Sequence, residues 1–493
     1  MADKHRAGKS QNGAALLIAL LALAVVSVVA FHIALIATAE VHISDNYESL
    51  IEARAAATAG LHHGRALLRG LRFDDVLEGP DGTHDADPGY LARARTHSYR
   101  LPIPWVTARM LDIVDPAGML AGLPDDGVIN TGRHPGGNGL ALIPVTGIAQ
   151  TAPAPQHPGM PVVSRYFVKV SDNNGEAAEL AGDPEDNPFR DGDGQVILRS
   201  MGIARTIAQA TRAGLRHNST VALEARFKRL STYDLDAPLV IQSDAVAPES
   251  AEMFAGSLFL VQGGGANPGI AVIDTKPGDG IAPALQVTSR LAAEQAARIR
   301  GAGLQPSVKD GTAEVASHAE KRLLLNQSFA CDSLKSLPLF ADSAFAGNQN
   351  WPGAPPPSLG HYDAGLPPTA PGQEPKATFV AGDLQIAGDV EGGGLLVVTG
   401  RVTITGRFSF SGLILILGAG ELDLGGSGTI TGGIYVAKIS CASMAWGSVR
   451  LTIRDHVQVL FNQEAIRMAL TLFPPRQLSF REITAIIDPN GPW

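Results

Sequence analysis

The side chains that could do chemistry are few and scattered. Of thirteen histidines, only His62 and His63 are adjacent. Consecutive helix positions point about 100° apart, so this pair would not readily share a metal. No H-E-x-x-H occurs, and the run Gly425-Gly426-Ser427-Gly428-Thr429 lacks the last glycine of a G-x-S-x-G elbow. Gly263–Gly265 could cradle a phosphate, but the G-x-x-x-x-G-K-[ST] pattern is missing and a turn is expected instead. No constellation for nucleophilic or acid/base work emerges, so the chain reads as a non-enzyme.

Two clusters remain. Between the strand-like runs RYFVKV (165–170) and QVILRSMGIA (195–204) lies the acidic stretch SDNNGEAAELAGDPEDNPFRDGDG. Asp172, Asn174, Asp183, Glu185, Asp186, Asp191 and Asp193 offer the hard oxygens that calcium takes. EF-hand spacing fails, and a solvated hairpin loop accounts for the same residues; no other cofactor is indicated. Cys331 and Cys441 are the only cysteines. They suit either one bridge in an oxidising compartment or two separate buried thiols.

Composition narrows what must hold these residues. The net charge is −9 with 18% charged residues, which argues against a nucleic-acid partner. The chain has 55 glycines and 33 prolines in 493 residues and few aromatics, which favours a turn-rich, mainly β architecture.

The N-terminus is different. Ala14–Ala39 is uncharged, polar only at Ser27, His32 and Thr38. As a helix its 26 residues would span about 39 Å, enough for a hydrocarbon core of about 30 Å. Lys4, Arg6 and Lys9 precede it, and Glu40, Asp45 and Glu48 follow. That asymmetry predicts a cytoplasmic N-terminus and an external body. The segment is too long for the apolar core of an ordinary signal peptide. No proline falls between Ala14 and Leu77, and Val41–Leu68 carries apolar residues at helical spacing, so one helix of about 55 residues is expected. The small residues of ARAAATAGL (Ala53–Leu61) would permit close packing against another helix.

A basic leader ending at Gly13, an uncharged helix opening AALLIALLALAV, and AAATAGL together resemble the N-terminal region of PilX-type minor pilins. The resemblance implies prepilin-peptidase cleavage after Gly13 and N-methylation of Ala14. It also implies other pilins and an inner-membrane assembly machinery as partners. Ile18 stands where most pilins place glutamate, and Thr58 replaces the glutamate of the family's AAEAGL-like motif. The first departure suggests a role other than the bulk subunit.

The strongest periodicity is late in the chain. Glycine recurs at 382, 388, 394, 400, 406, 412 and 418, with apolar residues two and four places after most of them. Six is even, so the strand alternation stays in phase. Three such hexads per coil would build a parallel β-solenoid, with an antiparallel meander as the alternative. Hexapeptide acyltransferases use a histidine between coils, and none lies between Lys376 and Ser448.

The expected organisation is a leader (1–13), a transmembrane and assembly helix (14–70), and a β-rich periplasmic region (71–349) with a helical insert near 288–325. A Pro-rich linker (350–375), a solenoid (376–440) and a C-terminal cap (441–493) follow. The expected function is assembly and surface interaction as a pilin-like protein of the inner membrane or fibre tip. A permanently anchored periplasmic binding protein is the alternative.

Overall fold

The computed structural model describes residues 8–78, 163–172, 191, 194–205, 219–230, 235–313, 323–353, 359–366 and 370–483. These residues are rich in β-structure and carry one long apolar helix at the N-terminus. Helix α1 runs Gly8–Leu67 without a break. It stops where Gly70 adopts a φ of +80°, and the Gly70 N–H is taken up by the carbonyl of Thr471, 2.8 Å away. A short helix, α2 (Phe73–Glu78), folds back and buries Phe73, Val76 and Leu77.

Three long strands follow: β1 (Val163–Asp172), β2 (Gln195–Arg205) and β3 (Ser219–Lys228). They form an antiparallel sheet whose fourth strand, β23 (Arg476–Ile483), comes from the far end of the chain. Alternate residues face α1: Tyr166, Val168 and Val170 on β1, Val196 and Leu198 on β2, and Val221, Leu223, Ala225 and Phe227 on β3. This is the period-two pattern of a sheet packed on one side by a helix.

The described residues from Leu235 to Phe473 form a second body, so that body is inserted into the sheet. It starts with β4 (Leu239–Ser243), β5 (Val246–Pro248), β6 (Leu260–Gln262) and β7 (Ile270–Asp274). Helices α3 (Pro283–Thr288) and α4 (Ala293–Ala296), then β8 (Ile299–Arg300) and β9 (Val308–Asp310), come next. Within the region expected to hold a helical insert, 288–325, the described residues form α4, β8, β9 and short turns, 314–322 lie outside the described residues, and the longer helix, α5 (Gln327–Phe340), lies just after it. Asn326 caps α5 by accepting from the Phe329 N–H at 3.0 Å.

Two ladders of parallel strands organise this body. One runs β10 (Ser343–Ala346), β13 (Glu374–Ala381), β15 (Asp389–Val398), β17 (Arg407–Gly418) and β19 (Ser427–Ser440). The other runs β11 (Gln349–Trp351), β14 (Leu384–Ile386), β16 (Val402–Ile404), β18 (Glu421–Leu424), β21 (Val449–Ile453) and β5. Neighbours along both ladders are parallel, not the antiparallel pairing of a meander. Leu384 stands opposite Val402 and Asp389 opposite Arg407, each eighteen residues on, which is three hexads. Later steps lengthen: Val402 faces Leu422, and Leu422 faces Leu451.

The glycine series resolves into columns. Gly394, Gly412 and Gly432 are paired in register, with φ of +121°, +146° and +134°. A Cβ on Gly412 would overlap the Gly394 carbonyl oxygen, and one on Gly432 that of Gly412. Only glycine fits there.

The ladders extend beyond 376–440. The first half of β19 pairs with β22 (His456–Phe461), while its second half, Ile434–Ala437, pairs with Leu239–Gln242 of β4. From there β22 continues to β6 and β8, and β4 to β7 and β9. Strands β6 and β7 flank the glycine-rich turn at Gly263–Gly265 without pairing with each other.

The apolar residues two and four places after the glycines share one core. Leu384, Ile386, Leu396, Val398, Val402, Ile404, Phe408, Phe410, Ile414 and Ile416 all lie in it, together with Leu239, Ile241 and Val272 of the earlier strands. The opposite face of the first ladder is also buried. Leu395, Val397, Leu413, Leu415 and Leu417 pack under Phe329 and Leu337 of α5 and under helix α6 (Gln463–Thr471). Helix α6 thus lies along the flank of β13, β15, β17 and β19, and the segment after it returns to the four-stranded sheet. Within the expected linker, Leu359 and Tyr362 are buried, and β12 (Gly360–His361) pairs with β13.

Candidate functional site: an apolar helix seated on its own sheet

The two halves of α1 have opposite surroundings. From Leu16 to Ile51 its large apolar side chains are exposed, Ile18 at 67% and Phe31 at 64%. The stretch is long and apolar enough to cross a membrane, with a mean hydropathy of 3.0 over its best window. The three polar residues of Ala14–Ala39 bond to their own helix: Ser27 Oγ donates to the Leu23 carbonyl at 2.8 Å and Thr38 Oγ1 to that of Leu35 at 2.8 Å. His32 Nδ1 sits 3.1 Å from the Val28 carbonyl oxygen. A helix in lipid must meet this requirement, because hydrocarbon offers no partner. The Gly13–Ala14 peptide lies within the first turns of α1.

From Ser49 onward the helix is docked on the sheet. Ala53, Ala56, Ala57, Leu61 and Leu68 are buried against it. Of the small residues of ARAAATAGL, Ala53, Ala56, Ala57 and Gly60 therefore lie against the chain's own sheet, while Ala55 and Ala59 are exposed. The approach is close: a Cβ on Gly202 of β2 would overlap the backbone of Ala53 and Ala57. Gly60 and Gly64, one and two turns further on, sit over Tyr166 and over Leu198 and Val168. Thr58 faces away from this contact and donates to the Arg54 carbonyl at 2.8 Å.

Polar contacts fix the register of helix on sheet. Ser49 and Ser219 share a hydroxyl hydrogen bond of 2.6 Å. His63 Nδ1 lies 2.7 Å from the Tyr166 hydroxyl, with the rings edge-on. Burial pushes the Tyr166 phenol upward. His63 is thus a structural partner, and His62, on the preceding helix position, is exposed.

The C-terminal end of α1 is closed by Arg229. Its guanidinium donates to the Leu71 carbonyl at 2.7 Å and stacks 3.5 Å above the Phe73 ring. Desolvation lowers its pKa to about 10, opposed by Asp191, Asp74 and Asp75. It remains a cation at neutral pH, facing the negative end of the helix dipole. On the sheet face turned away from α1, Glu224 accepts from Arg199 Nε at 2.8 Å and from Arg481 Nε at 2.8 Å. This ties β2, β3 and β23 together.

Of the calcium candidates, Asp172 closes β1 opposite Val196. One Asp191 carboxylate oxygen accepts from the Gly194 and Gln195 N–H groups at 2.8 and 3.1 Å, forming a turn. Asn174, Asp183, Glu185, Asp186 and Asp193 lie outside the described residues. Among the described residues no group of three His, Cys, Asp or Glu is placed to hold a metal ion. Cys331 on α5 and Cys441 after β19 are joined in a disulfide, with Cα atoms 5.5 Å apart. Gly263–Gly265 form a turn in which the Asn267 N–H bonds to the Gly264 carbonyl at 2.7 Å. Sequence reasoning missed the roles of Gly202, Tyr166 and Arg229. The small residues of ARAAATAGL marked a helix face made for close approach, and the Gly60/Gly64 spacing of four extends it.

Comparison of the chain with protein-family models, with curated proteins and with solved structures finds no match.

Proposed function

We propose that the chain is a minor pilin-like subunit of a type IV pilus or related system, and that its role is assembly and surface interaction rather than catalysis. One observation carries this reading. A single unbroken helix exposes an internally satisfied apolar half and seats its other half on an antiparallel sheet. Such a helix can leave a membrane and bury the same apolar surface among like helices in a fibre without refolding, because its own head is already fixed. With Ile18 in place of a carboxylate, the packing among helices is driven by shape and apolar contact.

The inserted body is, on this reading, a β-solenoid with the two parallel ladders as two of its faces, displayed outside the inner membrane. The registers of eighteen residues, the in-register glycine columns and the shared core support it. A body this large suits a tip or priming position better than a repeating one.

Mass spectrometry of the mature N-terminus tests the proposal. Cleavage after Gly13 with a methylated Ala14 is the expected result. An intact leader would sink it and leave a permanently anchored periplasmic protein.

A further inference from the structure

The inserted body carries a cleft of about 520 Å3 beside the disulfide, within the roughly 300–1,000 Å3 of small-ligand sites. Its floor comes from the ladder: Gln242 at the end of β4, with Asp274 and Thr275 at the end of β7. One wall is the capped start of α5, Asn326 and Gln327. The other is Trp446, on the hairpin of β19 with β20 (Ala445–Gly447). The Cys331–Cys441 bridge joins the two walls, and Trp446 packs against the cluster around it.

The floor holds two unpaired polar atoms. Gln242 is fully buried, and the Tyr435 hydroxyl donates to its Oε1. Its Nε2 is buried without a partner, and so is the Thr275 hydroxyl oxygen. A buried amide nitrogen left unpaired is costly, and a native structure tolerates it where something else completes the bond. One Asp274 oxygen takes the Lys276 N–H at 2.8 Å; Asn326 uses its carbonyl oxygen on the α5 cap.

The donor set identifies the ligand class. Among the described residues the lining includes no Lys, Arg or His and one carboxylate, which disfavours phosphates and acidic ligands. Amide and hydroxyl groups that donate and accept, and a carboxylate that accepts, stand opposite an indole. Sugar rings present that same combination of an apolar C–H face and a rim of hydroxyls. We propose that this cleft binds a neutral oligosaccharide of two or three rings, with Trp446 as the stacking platform and Gln242 and Thr275 as hydroxyl partners. The one carboxylate among the described lining residues is not the pair that glycoside hydrolysis uses, and the proposal is of binding alone. This inference does not rest on the pilus reading, because the cleft lies wholly within the inserted body.

The test is calorimetric titration of the full chain, held in a sugar-free zwitterionic detergent, with maltotriose, cellotriose and chitotriose. At least one should bind saturably. Trp446→Ala should weaken that binding tenfold or more, and the near-isosteric Thr275→Val several-fold, with circular dichroism unchanged. No saturable binding of any of the three at millimolar concentration would overturn the proposal, as would binding that both variants leave intact.

Discussion

Removing the Cys331–Cys441 bridge should unfold the inserted body well before the native chain. The two residues are 110 apart in sequence. Chain-entropy reasoning for a loop of that length gives about 16 cal/mol/K lost by the unfolded state, or about 4.8 kcal/mol at 25 °C. Measured effects run lower, about 2–4 kcal/mol, where the reduced unfolded chain keeps residual structure. Cys331 sits in a small apolar cluster with Ala330 and Ile439, so alanine is a better replacement than serine there. The comparison is the Cys331→Ala/Cys441→Ala chain against the native one in urea, followed by far-ultraviolet circular dichroism under oxidising conditions. The midpoint should fall in the variant, and dithiothreitol should lower the native midpoint while leaving the variant's alone. Equal midpoints in oxidising buffer would refute the reasoning, because the loop would then contribute nothing.

Two other outcomes are expected. Gly202→Val places a side chain where the backbone of Ala53 and Ala57 now lies; it should cost about 1–3 kcal/mol and open residues 49–68 to protease, and an unchanged cleavage pattern would count against the docking described. Burial and the neighbouring Glu421 raise the Glu249 carboxyl above the usual range, with Arg401 and Arg450 only partly opposing. A raised acid favours the folded state while protonated, and that contribution is lost as pH rises through its folded pKa. Glu249→Gln should therefore match the native melting temperature near pH 4 and exceed it by pH 8; a variant that melts lower at pH 8 would reverse the sign.

The sequence carried some of this plainly and hid the rest for physical reasons. An uncharged run without proline fixes α1, because nothing else accommodates it. The glycine hexads located the residues of the shared core, since an even spacing keeps the alternation in phase. The second apolar layer was also written there, as the unbroken runs LLVV and LILIL, which mark strands buried on both faces. What stayed hidden was partnership. Leu239 pairs with Ile434 across almost the whole inserted body, and strands of two to five residues leave no local trace of it. ARAAATAGL announces a smooth helix face but not what lies against it. The oxygen-rich loop showed its donors, yet donor type alone does not bring them together, and Asp191 is occupied with a turn.

The insertion of one body into the sheet has a mechanical side. The chain leaves at the end of β3 and returns at the start of β23, and these strands are paired with Lys228 opposite Arg476. Both tethers therefore emerge side by side from one end of the sheet. A pull on the inserted body against α1 draws β3 and β23 the same way, so the bonds between them are not peeled apart one by one. The load falls instead along the β2–β3 seam, from Gln195–Lys228 to Ala204–Ser219, and on the Arg199–Glu224–Arg481 rivet across it. A seam loaded lengthwise must yield many bonds at once, which makes this junction strong in tension.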